Sequence, residues 1–227
     1  MSNKLYELKW TKEQLWKGCI LASIAHAIMV AHYPDLSNEH SWDGINYNVQ
    51  NSTGARGTIT FNPRYCIAAF RDDNSDRIAI KSKVQKAHAY FKNAPNEIIN
   101  FAETETLQYL LDNVDGKMVP LITAAFWEMA NKLVSVDKFD DMINNGGFLL
   151  EIQLMDFEAA IKAWKAYYDM SAQQYDLLES IYIRKVAQPT GTLILSKGEI
   201  ALIGTDDPDG LDESKTSFEE IDIQWED

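Results

Sequence analysis

The segment Ile45-Asn-Tyr-Asn-Val-Gln50 alternates apolar and amide side chains, and Gly57-Thr-Ile-Thr-Phe61 repeats the alternation. Between them, Asn51-Ser-Thr-Gly54 supplies residues that favour a turn. Successive side chains of a strand point to opposite faces, so each segment is predicted to be a strand with one apolar face. Together they predict an antiparallel hairpin, and the fold class depends on what surrounds it.

A helix is predicted before this hairpin. Thr11-Lys-Glu-Gln14 has the capping-box pattern, in which each end residue accepts a hydrogen bond from the other's backbone amide. The helix is expected to run to about His32, because the residue before Pro34 avoids the α region. After the hairpin, residues 66–70 and 77–81 are predicted to form short strands.

The middle of the chain has mainly helical patterns. Its candidate helices cover residues 83–92, 103–114, 120–134, 137–144, 157–169 and 172–187. Some ends are recognisable: Pro120 fits a first helical turn, and Ser171 with Gln174 repeats the capping-box pattern.

The C-terminal part returns to β patterns. Strands predicted at 192–195 and 199–203 flank Lys197-Gly198, a candidate tight hairpin, and 218–225 is expected to dock on the sheet as an edge strand. Segregated helices and strands favour an α+β fold over a doubly wound sheet. We expect residues 1–227 to form one domain, with a subdomain split near residues 93–96 as the alternative.

Negative charge is concentrated near the C-terminus. The 227 residues carry a net charge of −13, and residues 205–227 contain ten carboxylates against one lysine. A field this uneven affects association and solubility rather than fold. We predict an acidic contact surface in a solvated loop at about 205–216, formed by Asp206, Asp207, Asp209, Asp212 and Glu213.

Residues 56–92 carry the opposite charge, with eight basic groups against three aspartates. Such a region fits phosphate binding, but the acidic remainder of the chain would repel a nucleic-acid backbone. We therefore favour pairing of this region with the acidic C-terminal segment within the fold, and we do not expect nucleic acid as a partner.

The sequence lacks the motifs typical of metal sites and of phosphate binding. The four histidines form no HExxH pattern, the two cysteines form no CxxC pattern, and phosphate-binding glycine motifs are absent. We expect neither a metal site nor a cofactor. The apolar stretch 19–31 is too short to span a bilayer, and the first residues do not resemble a secretory signal. The prediction is a cytoplasmic protein without a membrane partner, and the oligomeric state stays open.

One functional hypothesis is a cysteine-dependent hydrolase with Cys19 as the nucleophile. A nucleophilic thiolate needs a neighbouring base or cation. His26 shares the predicted helix, but seven residues span roughly 10 Å along its axis, beyond hydrogen-bond reach. The hypothesis therefore requires His40 or His88, from other elements.

A second hypothesis is a small-ligand module around Trp42, Asn46 and Asn48. Trp42 offers a flat apolar ring with one donor, and the two amides lie on one face of the predicted strand. Such a row can bind a peptide backbone, a sugar or a base edge. The alternative is an ordinary strand with one solvated face and a buried tryptophan.

The hypothesis we favour from sequence is a non-catalytic binding protein that docks a basic partner through its acidic surface. Immunity or antitoxin-type inhibitors of cationic toxins are examples of this class. Complementary charge speeds association and suppresses wrong partners. An acidic chain without catalytic motifs fits this role.

Overall fold

The computed structural model describes residues 4–79 and 86–226. The chain divides into two compact units, each made of two separate segments. The first unit comprises Met1–Gln14 and Ile45–Glu151, and the second comprises Leu15–Gly44 and Ile152–Asp227. Residues 93–96, the position considered for a subdomain split, lie inside the first unit. The single-domain count stays a prediction.

The described residues form the following strands: β1 (Tyr6–Glu7), β2 (His40–Asp43), β3 (Asn46–Gln50), β4 (Ala55–Phe61), β5 (Cys66–Asp72), β6 (Leu111–Val114), β7 (Lys117–Pro120), β8 (Ala124–Met129), β9 (Lys132–Ser135), β10 (Leu193–Leu195) and β11 (Ile223–Trp225). The α-helices are α1 (Lys12–Met29), α2 (Asp76–Ala79), α3 (Asn96–Thr104), α4 (Phe139–Ile143), α5 (Phe157–Tyr167), α6 (Ala172–Ala187), α7 (Lys197–Ala201) and α8 (Pro208–Glu219). Short 3-10 helices cover Pro34–Leu36, Ala87–Phe91, Thr106–Leu110 and Gly147–Leu150.

The main sheet is antiparallel and has seven strands in the order β1-β9-β8-β5-β4-β3-β2. The predicted hairpin is confirmed, since Tyr47 lies opposite Ile59 and Val49 opposite Gly57. Gly57 is required here because a Cβ atom would lie 2.5 Å from the ring of Phe70 on the next strand. The segregated helices and antiparallel sheet confirm the α+β class.

Each unit has its own apolar core. In the first unit, the 3-10 helix Ala87–Phe91 packs near β8, and the rings of Phe91 and Trp127 lie 5.8 Å apart. In the second unit, the buried side chains of α1 pack with α5, α6 and the C-terminal segment, where Phe218 and Ile223 are fully buried. Among the helices of the described ranges, none has the length and apolar character needed to cross a membrane.

The N-terminal helix and three of the helices predicted in the middle of the chain are confirmed. Thr11 and Gln14 form the capping box at the start of α1, with backbone-to-side-chain distances of 3.1 and 3.0 Å. Helices α4, α5 and α6 lie where helices were predicted, and Ser171 and Gln174 cap α6 as expected. Of the predicted helix 83–92, the described part contains the 3-10 helix, and residues 83–85 lie outside the described ranges.

Two helices predicted in the middle of the chain are wrong. Residues 120–134 contain β8 and β9, and residues 103–114 contain the end of α3, a 3-10 helix and β6. Ala124-Ala-Phe-Trp127 is buried on both faces, so it lacks the alternation that distinguishes a strand from a helix. Ala130 and Asn131, both with positive φ, form the tight turn between β8 and β9.

Two predicted strands are also wrong. The described part of 77–81 belongs to α2, and residues 80 and 81 lie outside the described ranges. Residues 199–203 cover the end of α7 and the turn after it, so Lys197-Gly198 is not a hairpin turn. A capping box starts α7, because Ser196 accepts from the Glu199 amide at 3.3 Å and Glu199 accepts from the Ser196 amide at 2.9 Å.

The C-terminal edge strand is present as β11, but its partner differs from the prediction. It pairs in parallel with β10, with Leu193 opposite Ile223, and the two form a separate two-stranded sheet. Parallel pairing requires a crossover, which α7 and α8 supply.

Candidate functional site

The acidic segment is largely helical, so the predicted solvated loop at 205–216 is wrong. Pro208 occupies the first turn of α8, where its missing N–H and fixed φ are compatible with a helix. Asp209 lies in the same turn, where a negative charge is favourable. Gly210, Ser214 and Phe218 recur every four residues and form the buried face.

Three contacts fix α8 within the second unit. A Cβ atom at Gly210 would lie 2.3 Å from the carbonyl oxygen of Ala31, so the absence of a side chain permits this close approach. Ser214 Oγ donates to the carbonyl oxygen of Ala27 at 2.6 Å. Phe218 is fully buried in the core. The opposite face of α8 is therefore held in one orientation.

The predicted contact residues lie on this exposed side of α8 and in the two residues that precede the helix. All of them are exposed, and across the described parts of the chain their carboxylates show neither an ion pair nor a hydrogen bond; they are Asp206, Asp207, Asp209, Asp212 and Glu213. Later carboxylates differ: Glu220 accepts from the Trp42 amide at 2.7 Å, and Glu226 accepts from the Lys197 amide at 3.2 Å. The five predicted residues thus present charge that these contacts do not neutralise.

The acidic surface belongs to a strongly acidic unit. The first unit has 14 basic and 15 acidic residues, a net charge of −1, whereas the second has 7 and 19, a net charge of −12. Nearly all of the chain's excess charge therefore lies on one unit.

Two of the four arginines of the basic stretch, Arg71 and Arg77, bind carboxylates of their own unit. Arg71 contacts Asp73 at 2.5 Å and Asp112 at 2.6 Å, and Arg77 contacts Asp137 at 2.6 Å. For Arg71 and Arg77, the predicted pairing with the carboxylates of the C-terminal segment is therefore wrong. Two of its lysines, at positions 81 and 83, lie outside the described ranges.

The residues of the small-ligand hypothesis form hydrogen bonds within the protein. In the second unit, Trp42 Nε1 donates to Ser23 Oγ at 2.8 Å. In the first unit, the buried Asn46 amide accepts from Thr60 at 2.6 Å and donates to the carboxylate of Glu105 at 3.1 Å. Asn48 accepts from Thr58 Oγ1 at 2.7 Å. These bonds occupy polar groups that a ligand at Asn46 or Asn48 would have to use.

The residues of the hydrolase hypothesis lie in different surroundings. Cys19 is fully buried in α1, and His40 is buried beside the ring of Trp164 in the second unit. His88 is exposed in the first unit and hydrogen-bonded to Glu103. The hydrolase stays a prediction, and thiol labelling of the folded protein is its direct test.

Sequence reasoning missed a polar cluster in the second unit, which we call the histidine cluster: His26, His40 and Tyr168, which are buried, the half-buried Glu39 and the exposed Tyr167. The imidazole rings lie 5.4 Å apart, and Tyr168 Oη is 3.4 Å from His26 Nδ1. Tyr167 donates to the Glu39 carboxylate at 2.9 Å. Burial lowers the pKa of His26 to about 4 and raises the pKa of Glu39.

The sequence gives little sign of this cluster, because Tyr168 lies 142 positions after His26. Its donors also do not form a metal-binding group: across the described residues, no three His, Cys, Asp or Glu side chains are arranged to hold an ion.

Comparison with protein-family models, with curated proteins and with solved structures finds no match to this chain. Function is therefore inferred from its own residues and geometry.

Proposed function

We propose that the protein is a non-catalytic binding protein whose second unit docks a basic protein partner through the acidic surface of α8. The observation that carries this proposal is the set of exposed carboxylates between Asp206 and Glu213, which have no ion pair with any described residue and belong to a segment fixed by its buried face. An immunity or antitoxin-type inhibitor of a cationic protein is the class that this surface fits.

Fixation of α8 favours binding. Ordering loops and side chains at an interface costs conformational entropy and weakens binding. A helix that is already held by Gly210, Ser214 and Phe218 avoids part of this cost. The net charge of −12 on the same unit extends the attraction beyond the contact itself. Charge of this size steers a basic partner and raises the association rate.

A basic protein fits this surface better than the other charged partners that we considered. Nucleic acid carries the same sign of charge as the second unit and would be repelled. The contact carboxylates are spread over eight positions, from Asp206 just before α8 to Glu213 in its second turn, and all are exposed, which suits an extended basic surface.

The test compares two variants that lose the same charge at different places on the second unit. The first replaces Asp206, Asp207, Asp209, Asp212 and Glu213 by their amides. The control replaces five other exposed carboxylates of this unit by their amides: Asp35, Asp156, Glu158, Asp169 and Asp176. Both variants have a net charge of −8 in place of −13.

A partner is captured from native cells with the unaltered protein, identified, purified and used for association kinetics. We expect the α8 variant to lower the association rate by about tenfold or more, with a smaller salt dependence, and the control to change it by about twofold. Equal effects of both variants, or capture of no basic protein, would contradict the proposal.

A further inference from the structure

The first unit contains a pocket of about 400 Å3 that the proposed function does not use. Leu107 and Ala87, both buried, contribute to its lining, together with the half-buried Val119, Pro120 and Leu121. A volume of this size and a mostly apolar wall are typical of small-molecule sites.

Local structure explains why this apolar surface lies around a concave space. The hairpin β6–β7, the 3-10 helix Thr106–Leu110 and the 3-10 helix Ala87–Phe91 each contribute part of the wall. Val114 at the end of β6 remains 39% exposed, although it belongs to the lining. The hairpin thus presents an apolar side chain at the pocket that its own strands do not bury.

Polar groups occur in the exposed part of the lining. They are Lys86, His88 and Glu103, and all three side chains are exposed. The Glu103 carboxylate is already hydrogen-bonded to the His88 imidazole. The Lys86 ammonium, in contrast, has no carboxylate within ion-pair distance among the residues that the structure describes. The unmatched group beside the apolar wall is therefore a cation with hydrogen-bond donors only.

We propose that this pocket binds a small amphiphilic monocarboxylate, such as a medium-chain fatty acid, with its hydrocarbon part against Leu107, Val119 and Leu121 and its carboxylate beside Lys86. The apolar wall matches the hydrocarbon chain of such a molecule, and the cationic edge matches its carboxylate. The site lies entirely in the first unit, so its occupation and the docking of a basic protein on α8 are separate properties.

The first experiment measures binding of hexanoate, octanoate and decanoate to the full chain by calorimetry, below the concentrations at which these molecules form micelles. Each added methylene should tighten the dissociation constant by about fourfold until the pocket is filled. Decanol and decylamine test the head group. We expect decanoate to bind more tightly than either, because only the carboxylate pairs with Lys86.

Two pairs of variants locate the site. Lys86→Met retains the apolar stem, so it should weaken decanoate binding by about threefold and leave decanol binding unchanged. Lys92→Met, directly after the same 3-10 helix, should change the binding of neither compound. Val114→Trp should obstruct the pocket and weaken decanoate by more than about tenfold. Its control is Met118→Trp on the adjacent strand, because Met118 is 62% exposed and outside the lining.

Saturable binding with this chain-length series and variant pattern supports the proposal. It is overturned if none of the ten-carbon compounds binds, if decylamine or decanol binds as tightly as decanoate, or if Val114→Trp and Met118→Trp behave alike. Circular dichroism of each variant confirms that the fold is retained, and both tryptophan positions are exposed enough to accept the larger ring.

Discussion

In the first unit, Arg71 and Arg77 bind carboxylates that belong to the same unit, and its net charge is −1. In the second unit, the carboxylates between Asp206 and Glu213 face solvent and have no such partner among the described residues, and the net charge is −12. Charge in the first unit therefore acts mainly within the fold. In the second unit it is available to a partner, while the buried side of α8 supplies stability.

The largest effect is expected from removing the anchor of this acidic surface. Phe218→Ala deletes a fully buried ring and should lower the free energy of unfolding by about 4 kcal/mol, because it leaves a cavity in the second core. Urea unfolding measures this loss. The control Lys215→Ala lies on the exposed side of the same helix and should change the free energy by less than about 0.5 kcal/mol. Similar values for both variants would mean that α8 is not part of the cooperative core.

The next effect is a pH dependence of the free energy of unfolding, which the histidine cluster gives to the second unit. Burial lowers the pKa of His26 to about 4 from 6.5, and burial also lowers the pKa of His40. The unfolded chain takes up a proton near pH 6.5, and the folded unit does not until about pH 4. The free energy of unfolding should therefore fall as the pH decreases through this window, by about 3 kcal/mol for His26 alone.

Glu39 acts in the opposite direction within the same cluster. Burial raises its pKa, so its contribution to stability is complete below its unfolded pKa and is lost as the pH rises through the folded value. Urea unfolding at pH 7, 6, 5 and 4 measures the net effect. His26→Leu should flatten the dependence, and an equally steep dependence in this variant would exclude His26 as its source.

A smaller effect tests whether charge in the first unit is structural. Arg77 binds Asp137 through two contacts of 2.6 and 3.0 Å and also donates to the carbonyl oxygen of Thr123 at 2.6 Å. Arg77→Met leaves the carboxylate without its partner and should lower the free energy of unfolding by about 2 kcal/mol. Arg64→Met, at an exposed position, is the matched control and should have little effect. Equal losses would contradict the structural role.

Sequence patterns predicted elements whose signals are local and missed those set by tertiary contacts. Helix α1 could be predicted because its capping box and apolar run lie within one segment. Helix α8 could not, since proline, glycine and four aspartates within residues 206–212 favour a turn. Its helical state depends on Ala27 and Ala31, nearly two hundred positions earlier.

The candidate surface was predicted better than its conformation. Uneven charge is visible in composition, so the acidic residues could be selected without knowing that they lie on a helix. The apolar pocket was not predicted, because Ala87, Leu107 and Leu121 resemble ordinary core residues in sequence and become a pocket lining only through the packing of the β6–β7 hairpin. His88 was selected for another chemistry and lies in that lining instead.

The smallest effect provides the sharpest contrast between the units. Asp212→Asn with Glu213→Gln removes two carboxylates that bind no group among the described residues, and it reduces repulsion within the acidic surface. The free energy of unfolding should remain within about 0.5 kcal/mol of the original value or rise slightly, more so at low salt, where screening is weak. Urea unfolding at two salt concentrations, beside Arg77→Met, makes the comparison direct. A loss of about 2 kcal/mol would show that these carboxylates stabilise the fold like Asp137, and the distinction between structural and available charge would be wrong.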